Sequence, residues 1–172
     1  MNDNVGEVLY PLESMRSQLS TIIRQMMLNK FKPDCIAAVS RGGLVPGVYL
    51  SHYFDVELVV IVVDDAHYPK ADIAIHKIAD TLRENKLVLL VDDICDKGTT
   101  FRNIWDALYK MCPEIETKSG INNNTTVVER CLHSAALIYN EGEELFCPDY
   151  YGTAINKTDD PSWIVFGWEA WW

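Results

Sequence analysis

The stretch VLLVDDICDKGTT, Val88 to Thr100, places two adjacent acids at the end of an apolar run, a third acid three positions on, and a Gly-Thr-Thr tail behind them. Carboxylates accept hydrogen bonds from hydroxyls, support hard cations and take protons. A Gly-Thr-Thr turn that opens a helix offers free backbone N–H groups and two hydroxyls, which suits an anion. Consecutive strand residues face opposite ways, so Asp92 and Asp93 are not expected to share one task. A second stretch, AAVSRGGLVPG from Ala37 to Gly47, ends an apolar run in Ser40, Arg41, Gly42 and Gly43. The glycines let the backbone approach a ligand, and Arg41 adds a permanently charged fork suited to phosphate.

These groups need elements to hold them. KLVLLVDD shows no polar alternation, the mark of a strand covered on both faces, and Phe101, Ile104, Trp105, Leu108 and Met111 then repeat at helical spacing up to Pro113. In open α/β sheets ligands lie beyond the carboxyl ends of strands, where Asp92 and Asp93 fall. Upstream, Leu12, Met15, Leu19, Ile22, Ile23 and Met26 predict a helix to about Lys30, interrupted by KFKPD because the residue before Pro33 is pushed out of the helical region. CIAAVS is a short apolar run. GLVPGVYLSHYF reads as a helix with Pro46 in its first turn, and DVELVVIVVDD as a β-branched strand.

Alternation at Ile73, Ile75 and Ile78 suggests a further strand after a loop at 66–71. ETKSGINNNTT is a polar excursion, and SAALIY, DYYGTA and WIVF are candidate strands. Strands alternating with helices predict an α/β domain with a mainly parallel central sheet flanked by helices. No internal repeat or domain boundary is visible.

At 172 residues the chain is expected to form one domain, burying roughly 70% of its unfolded surface. A formal charge of -10 disfavours nucleic acid as a partner, since that binding runs on clustered Lys and Arg. Five cysteines without a CxxC pair suggest neither a disulfide framework nor a zinc ribbon, and point to a reducing compartment. The acidic N-terminus has no apolar signal region and no apolar run approaches about 18 residues, so no membrane partner and a cytoplasmic location are expected. The N-x-T matches carry little meaning without a secretory route.

Two other families end a strand in acids. A receiver domain needs an Asp on a later strand, which SAALIYN lacks. A P-loop nucleotidase needs Lys and Ser or Thr after its second glycine, but Gly47 is followed by Val48 and Tyr49.

The whole pattern of VLLVDDICDKGTT resembles the signature of type I phosphoribosyltransferases, which bind 5-phosphoribosyl-1-pyrophosphate. AAVSRGGLVPG is similar to the pyrophosphate loop of the xanthine-guanine branch, and PDYYG…SWIVFGWE to its base-recognition end. The resemblance spans Leu12 to Glu169. It implies that family's fold in a single domain over 1–172, with a small C-terminal hood from about 140 to 172. It also implies a magnesium-dependent purine phosphoribosyltransferase of the salvage type, a homodimer or homotetramer, acting on guanine, xanthine or hypoxanthine. The rival expectations are a non-catalytic sensor of phosphoribosyl pyrophosphate and a transferase for another base.

By the same resemblance Asp92 and Asp93 accept from the ribose hydroxyls and support the magnesium, while Asp96, Lys97, Gly98, Thr99 and Thr100 hold the 5′-phosphate. Asp96 also contacts N7 of the base and takes a proton. Ser40, Arg41 and Gly42 hold pyrophosphate, Trp163 stacks on the base, and the backbone at Ile164 reads its edge. The chain departs from the pattern in three places. Lys97 stands where Thr is usual, and is expected to face solvent. Gly167 replaces a Pro before Trp168. The lysine that donates to the 6-oxo group should follow SAALIY, where Tyr139, Asn140 and Glu141 stand, leaving the Asn140 amide as the substitute donor. A mobile lid is expected within Ala66 to Lys77.

Overall fold

The computed structural model describes residues 6–70, 73–113, 125–143 and 145–169. The elements run β1 (Glu7–Tyr10), α1 (Leu12–Leu28), β2 (Cys35–Ser40), α2 (Leu44–Phe54), β3 (Glu57–Val62) and α3 (Ile73–Arg83). They continue with β4 (Val88–Cys95), α4 (Thr99–Met111), α5 (Val127–Cys131), β5 (Leu132–Asn140), β6 (Tyr150–Ile155) and β7 (Trp163–Phe166). Five strands form one sheet in the order β3-β2-β4-β5-β6, every pair parallel. The expected α/β class with a mainly parallel central sheet is therefore present, and β4 lies at its centre.

The lack of alternation in VLLV has the predicted cause. Val88 and Leu90 pack into the core shared with α3, α4 and α5, while Leu89 and Val91 pack into the core shared with α1 and α2. All four are essentially inaccessible to water. Burying each such side chain stabilises the fold by about 1.5–3 kcal/mol before chain entropy is counted. Helix α1 covers its side of the sheet with Met15, Leu19, Ile22 and Met26, and Pro46 sits in the first turn of α2 as its missing N–H requires.

Three elements differ from the sequence expectation. Ile73, Ile75 and Ile78 lie on helix α3, not a strand: Ile73 is 86% exposed, and the buried set is Ile75, Ile78, Ala79 and Leu82, a helical face. Part of the segment expected as a lid is thus a helix packed on the core. The described part before it is a tight turn in which the Asp64 carboxylate accepts from the Ala66 and Tyr68 N–H groups, both at 2.9 Å.

Strand β1 was not expected. It is short and exposed, and it forms only because it pairs in parallel with the distant β7, Val8 opposite Ile164. Helix α5 was also unforeseen. It begins in a capping box in which the Thr126 hydroxyl accepts from the Glu129 N–H and the Glu129 carboxylate accepts from the Thr126 N–H. Strand β6 extends the main sheet beside β5, and β7 stands apart from it with β1. Most of the polar excursion at 116–126, together with Trp171 and Trp172, lies outside the described residues. Among the described residues no helix is long and apolar enough to cross a membrane.

Candidate active site

The carboxyl ends of β2 and β4 meet at a cavity of about 460 Å³, a size that suits a small ligand. Its floor is the end of β4. Asp92 and Asp93 are only 9% and 7% exposed, and their side chains leave the strand on opposite faces. Each carboxylate accepts from the backbone N–H that follows it, Asp92 from Asp93 at 2.9 Å and Asp93 from Ile94 at 2.7 Å. Burial, and then the neighbouring Asp93 charge, push Asp92 well above the ordinary carboxylate range. Burial likewise pushes Asp93 up to about 6, against the pull of the Ile94 N–H. Two buried acids that resist ionisation are poised for a cation or for hydroxyl donors.

The first wall is the turn from β2 into α2. The Ser40–Arg41 peptide is cis. A Cβ at Gly42 would fall inside the Asp93 carboxylate, and one at Gly43 would strike the Val91 carbonyl, so this turn can pass over the acids only without side chains. Ser40 and Gly42 line the cavity, whereas Arg41 is exposed and does not. The second wall is the turn from β4 into α4. Gly98 has φ 75°, a left-handed conformation that L side chains rarely adopt, and its Cα is backed by Phe146. Phe146 is stacked in turn on Phe101, with ring centroids 5.2 Å apart, and is tilted against Trp105 at 5.3 Å. Helix α4 starts at Thr99, so the first N–H groups of the helix and the Thr99 and Thr100 hydroxyls border the cavity. Lys97, expected from the sequence to face solvent, is exposed and also lines the cavity at this turn.

The third wall carries Asp96 and Trp163. Trp163 begins β7, is 61% exposed and lines the cavity with one face. Its N–H donates to the Gly6 carbonyl at 2.7 Å, so the unforeseen β1 fixes its position. Ile164 does not line the cavity; it is half-buried against the α1 core. Asn140, suggested by the sequence as a donor to a ligand, is 3% exposed and spent within the protein. Its amide donates to Asp96 at 2.9 Å, and its carbonyl accepts from the Gly142 and Lys157 N–H groups at 3.2 and 3.1 Å.

Two residues of the site were not read from the sequence. His67, in the turn after β3, lines the cavity and lies with Nδ1 3.0 Å from the Thr100 hydroxyl. Lys157, between β6 and β7, places Nζ 3.0 Å from Asp96 Oδ2 and 5.5 Å from the Trp163 ring centroid. Neither belongs to a recognisable motif; only their segments, after β3 and before Trp163, pointed toward the site.

Among the described residues no group of three or more His, Cys, Asp or Glu could enclose a metal. The donor set that does exist, two adjacent buried carboxylates beside two anion turns, fits magnesium, which keeps several waters and takes one or two carboxylates plus ligand phosphate oxygens.

Comparison with known proteins gives a consistent answer. Residues 9–171 match the family model described as the phosphoribosyl transferase domain. A purine phosphoribosyltransferase from Pyrococcus horikoshii shares 27% identity at TM-score 0.64, with 97% of this chain and 96% of that one covered. A xanthine-guanine-hypoxanthine phosphoribosyltransferase from Helicobacter pylori superposes at TM-score 0.69 with 20% identity, covering 95% and 94% of the two chains. A hypoxanthine-guanine phosphoribosyltransferase from Bacillus anthracis does so at TM-score 0.56 with 16% identity, covering 84% and 79%. At such identities these last two speak for the fold alone. No curated protein matches the sequence.

Proposed function

The chain belongs to the phosphoribosyl transferase family, and from that premise we propose that it moves the 5-phosphoribosyl group of phosphoribosyl pyrophosphate onto a purine, with guanine, xanthine and hypoxanthine as the candidate bases. The observation that carries this is the pair of nearly inaccessible acids, Asp92 and Asp93, on the floor between two turns that each suit an anion. A sugar bearing phosphate at one end and pyrophosphate at the other matches that order: anion, hydroxyls, anion.

In this arrangement Asp92 and Asp93 accept from the ribose 2′ and 3′ hydroxyls. Thr99, Thr100 and the first N–H groups of α4, with Lys97 and Gly98 in the turn, hold the 5′-phosphate, and Ser40, Arg41 and Gly42 hold the pyrophosphate. Asp92 and Asp93 would hold magnesium, which would supply charge neutralisation for the departing pyrophosphate. The purine lies against Trp163, a contact of order 1–3 kcal/mol for a base on an aromatic face. A ring nitrogen attacks C1′, the C1′–O bond breaks, its electron pair leaves with pyrophosphate, and C1′ inverts. The proton displaced from the base goes to Asp96, a general-base contribution of about 10²–10⁴-fold. Positioning between the two turns supplies most of the remainder.

Calorimetric titration with phosphoribosyl pyrophosphate tests the sugar half of this reading. Binding should require magnesium and fall at least tenfold in Asp92→Asn and in Asp93→Asn. Magnesium-independent binding that survives both substitutions contradicts it.

A further inference from the structure

We propose that His67 is a positioning residue for the 5′-phosphate, acting through the hydroxyl of Thr100; this rests on the transferase reading above. Thr100 lines the cavity in the first turn of α4, and its hydroxyl lies 3.0 Å from Nδ1 of His67, which lines the same cavity. The turn that presents His67 is closed from within. The Asp64 carbonyl accepts from the His67 N–H at 3.0 Å, the Asp64 N–H donates to the Tyr68 carbonyl at 2.9 Å, and Val63 bridges Pro69. Asn103, three residues along α4 and so on the same face as Thr100, donates from its side-chain amide to the His67 carbonyl at 3.0 Å. Helix α4 thus holds His67 by its backbone and by its ring, through two residues of one face.

The hydrogen-bonding capacity of the two groups then fixes which one donates. A hydroxyl has one proton and two lone pairs, and an ionised phosphate only accepts. Once Thr100 gives its proton to the 5′-phosphate, any second polar group on its oxygen must be a donor. Imidazole can be that donor from Nδ1. Its N–H then occupies a lone pair of the Thr100 oxygen and turns the hydroxyl proton toward the phosphate. Without phosphate the bond can run in either direction; with phosphate it runs only from His67 to Thr100, so binding selects the ring that carries a proton on Nδ1. The chain from imidazole to hydroxyl to phosphate also strengthens its last bond, because each donor polarises the next. The 5′-phosphate keeps its bonding while C1′ reacts, so His67 supports substrate and transition state alike and acts on KM rather than kcat.

The test measures binding of ribose 5-phosphate and of magnesium pyrophosphate by calorimetry, with steady-state rates alongside, in the wild type, His67→Gly, His67→Asn, Thr100→Val and the His67→Gly/Thr100→Val double variant. Glycine removes the ring without straining a backbone at φ 62°, and asparagine tolerates that φ while keeping an amide donor near the place of Nδ1. His67→Gly should weaken ribose 5-phosphate about tenfold, the scale of a hydrogen bond to a charged group, and leave magnesium pyrophosphate within about twofold. It should raise KM for phosphoribosyl pyrophosphate with kcat within about twofold of wild type. His67→Asn should recover most of the loss. In the Thr100→Val background His67→Gly should cost less than about twofold more, because the group it acts through is gone. In nitrogen-15 spectra of the ribose 5-phosphate complex, His67 Nδ1 should carry a proton. An unprotonated Nδ1 there, equal losses for ribose 5-phosphate and pyrophosphate, additive losses in the double variant, or no recovery with asparagine overturns the assignment. A wild type that binds neither ribose 5-phosphate nor phosphoribosyl pyrophosphate overturns the transferase reading, and this inference with it. A wild type that binds both, matched by an unimpaired His67→Gly protein, overturns the inference alone.

Discussion

Replacing Asp93 with Asn should make the ligand-free protein more stable while removing its ability to bind sugar phosphate. Asp93 is 7% exposed and its carboxyl is pushed from an ordinary 3.8 up to about 6, chiefly by burial. A folded-state value above the unfolded one means that stability is fully present below 3.8 and is lost as pH rises through about 6. At about 1.4 kcal/mol per pH unit, ionising Asp93 costs the fold about 3 kcal/mol at pH 8 and roughly half that at pH 5. An Asn carries no charge and keeps a carbonyl to accept from the Ile94 N–H, so most of this cost should be recovered, with the new amide solvated from the cavity. Urea melts of the two proteins measure it directly. With a slope of about 2 kcal/mol per molar, the midpoint should rise by roughly 1–1.5 M at pH 8 and by about half as much at pH 5. A lower midpoint at pH 8, or equal gains at both pH values, would refute the claim that this carboxylate is kept for a ligand at the expense of the fold.

Three further substitutions separate the parts of the site. Asp96→Asn should lower kcat by about 10²–10⁴-fold and leave the affinity for phosphoribosyl pyrophosphate within threefold; equal losses in both would remove its role as proton acceptor. Trp163→Ala should raise KM for the base by roughly 5- to 150-fold, the equivalent of 1–3 kcal/mol, and leave the melting temperature unchanged because the ring is 61% exposed. Gly98→Ala should destabilise the fold by about 1–2 kcal/mol in urea melts, since its φ of 75° is left-handed and the new Cβ would meet Phe146, and it should weaken binding of ribose 5-phosphate.

The strongest unit in the sequence, β4 with its turn and α4, was legible because its two rules are local. A strand buried on both faces cannot alternate, and a Gly before Thr-Thr marks a helix start. Where local rules competed, distant packing decided. Ile73 and Ile75 imitate a strand only because a solvent-exposed residue happens to precede the helical face of α3. The EVLY stretch of β1 has too few residues to announce itself and depends on Trp163 to Phe166, at the other end of the chain. The T-x-x-E capping box of α5 was present but sat against a polar excursion that masked it. The site shows the same division. Asp92, Asp93, Asp96 and Gly98 through Thr100 lie together in one motif and converge on one cavity. His67 lines that cavity and Lys157 meets Asp96, each from a separate connection, and Asn140 turned out to hold Asp96 and the Lys157 backbone in place of a ligand. Sequence spacing does not carry those contacts, because they depend on how β6 and β7 fold back over the end of β4.

The most direct test of the transferase reading is the stoichiometry of its products. With magnesium, phosphoribosyl pyrophosphate and hypoxanthine, guanine or xanthine, the protein should release one pyrophosphate for each purine 5′-nucleotide formed, with at least one base turned over. Binding of phosphoribosyl pyrophosphate with no nucleotide formed from any purine would contradict it.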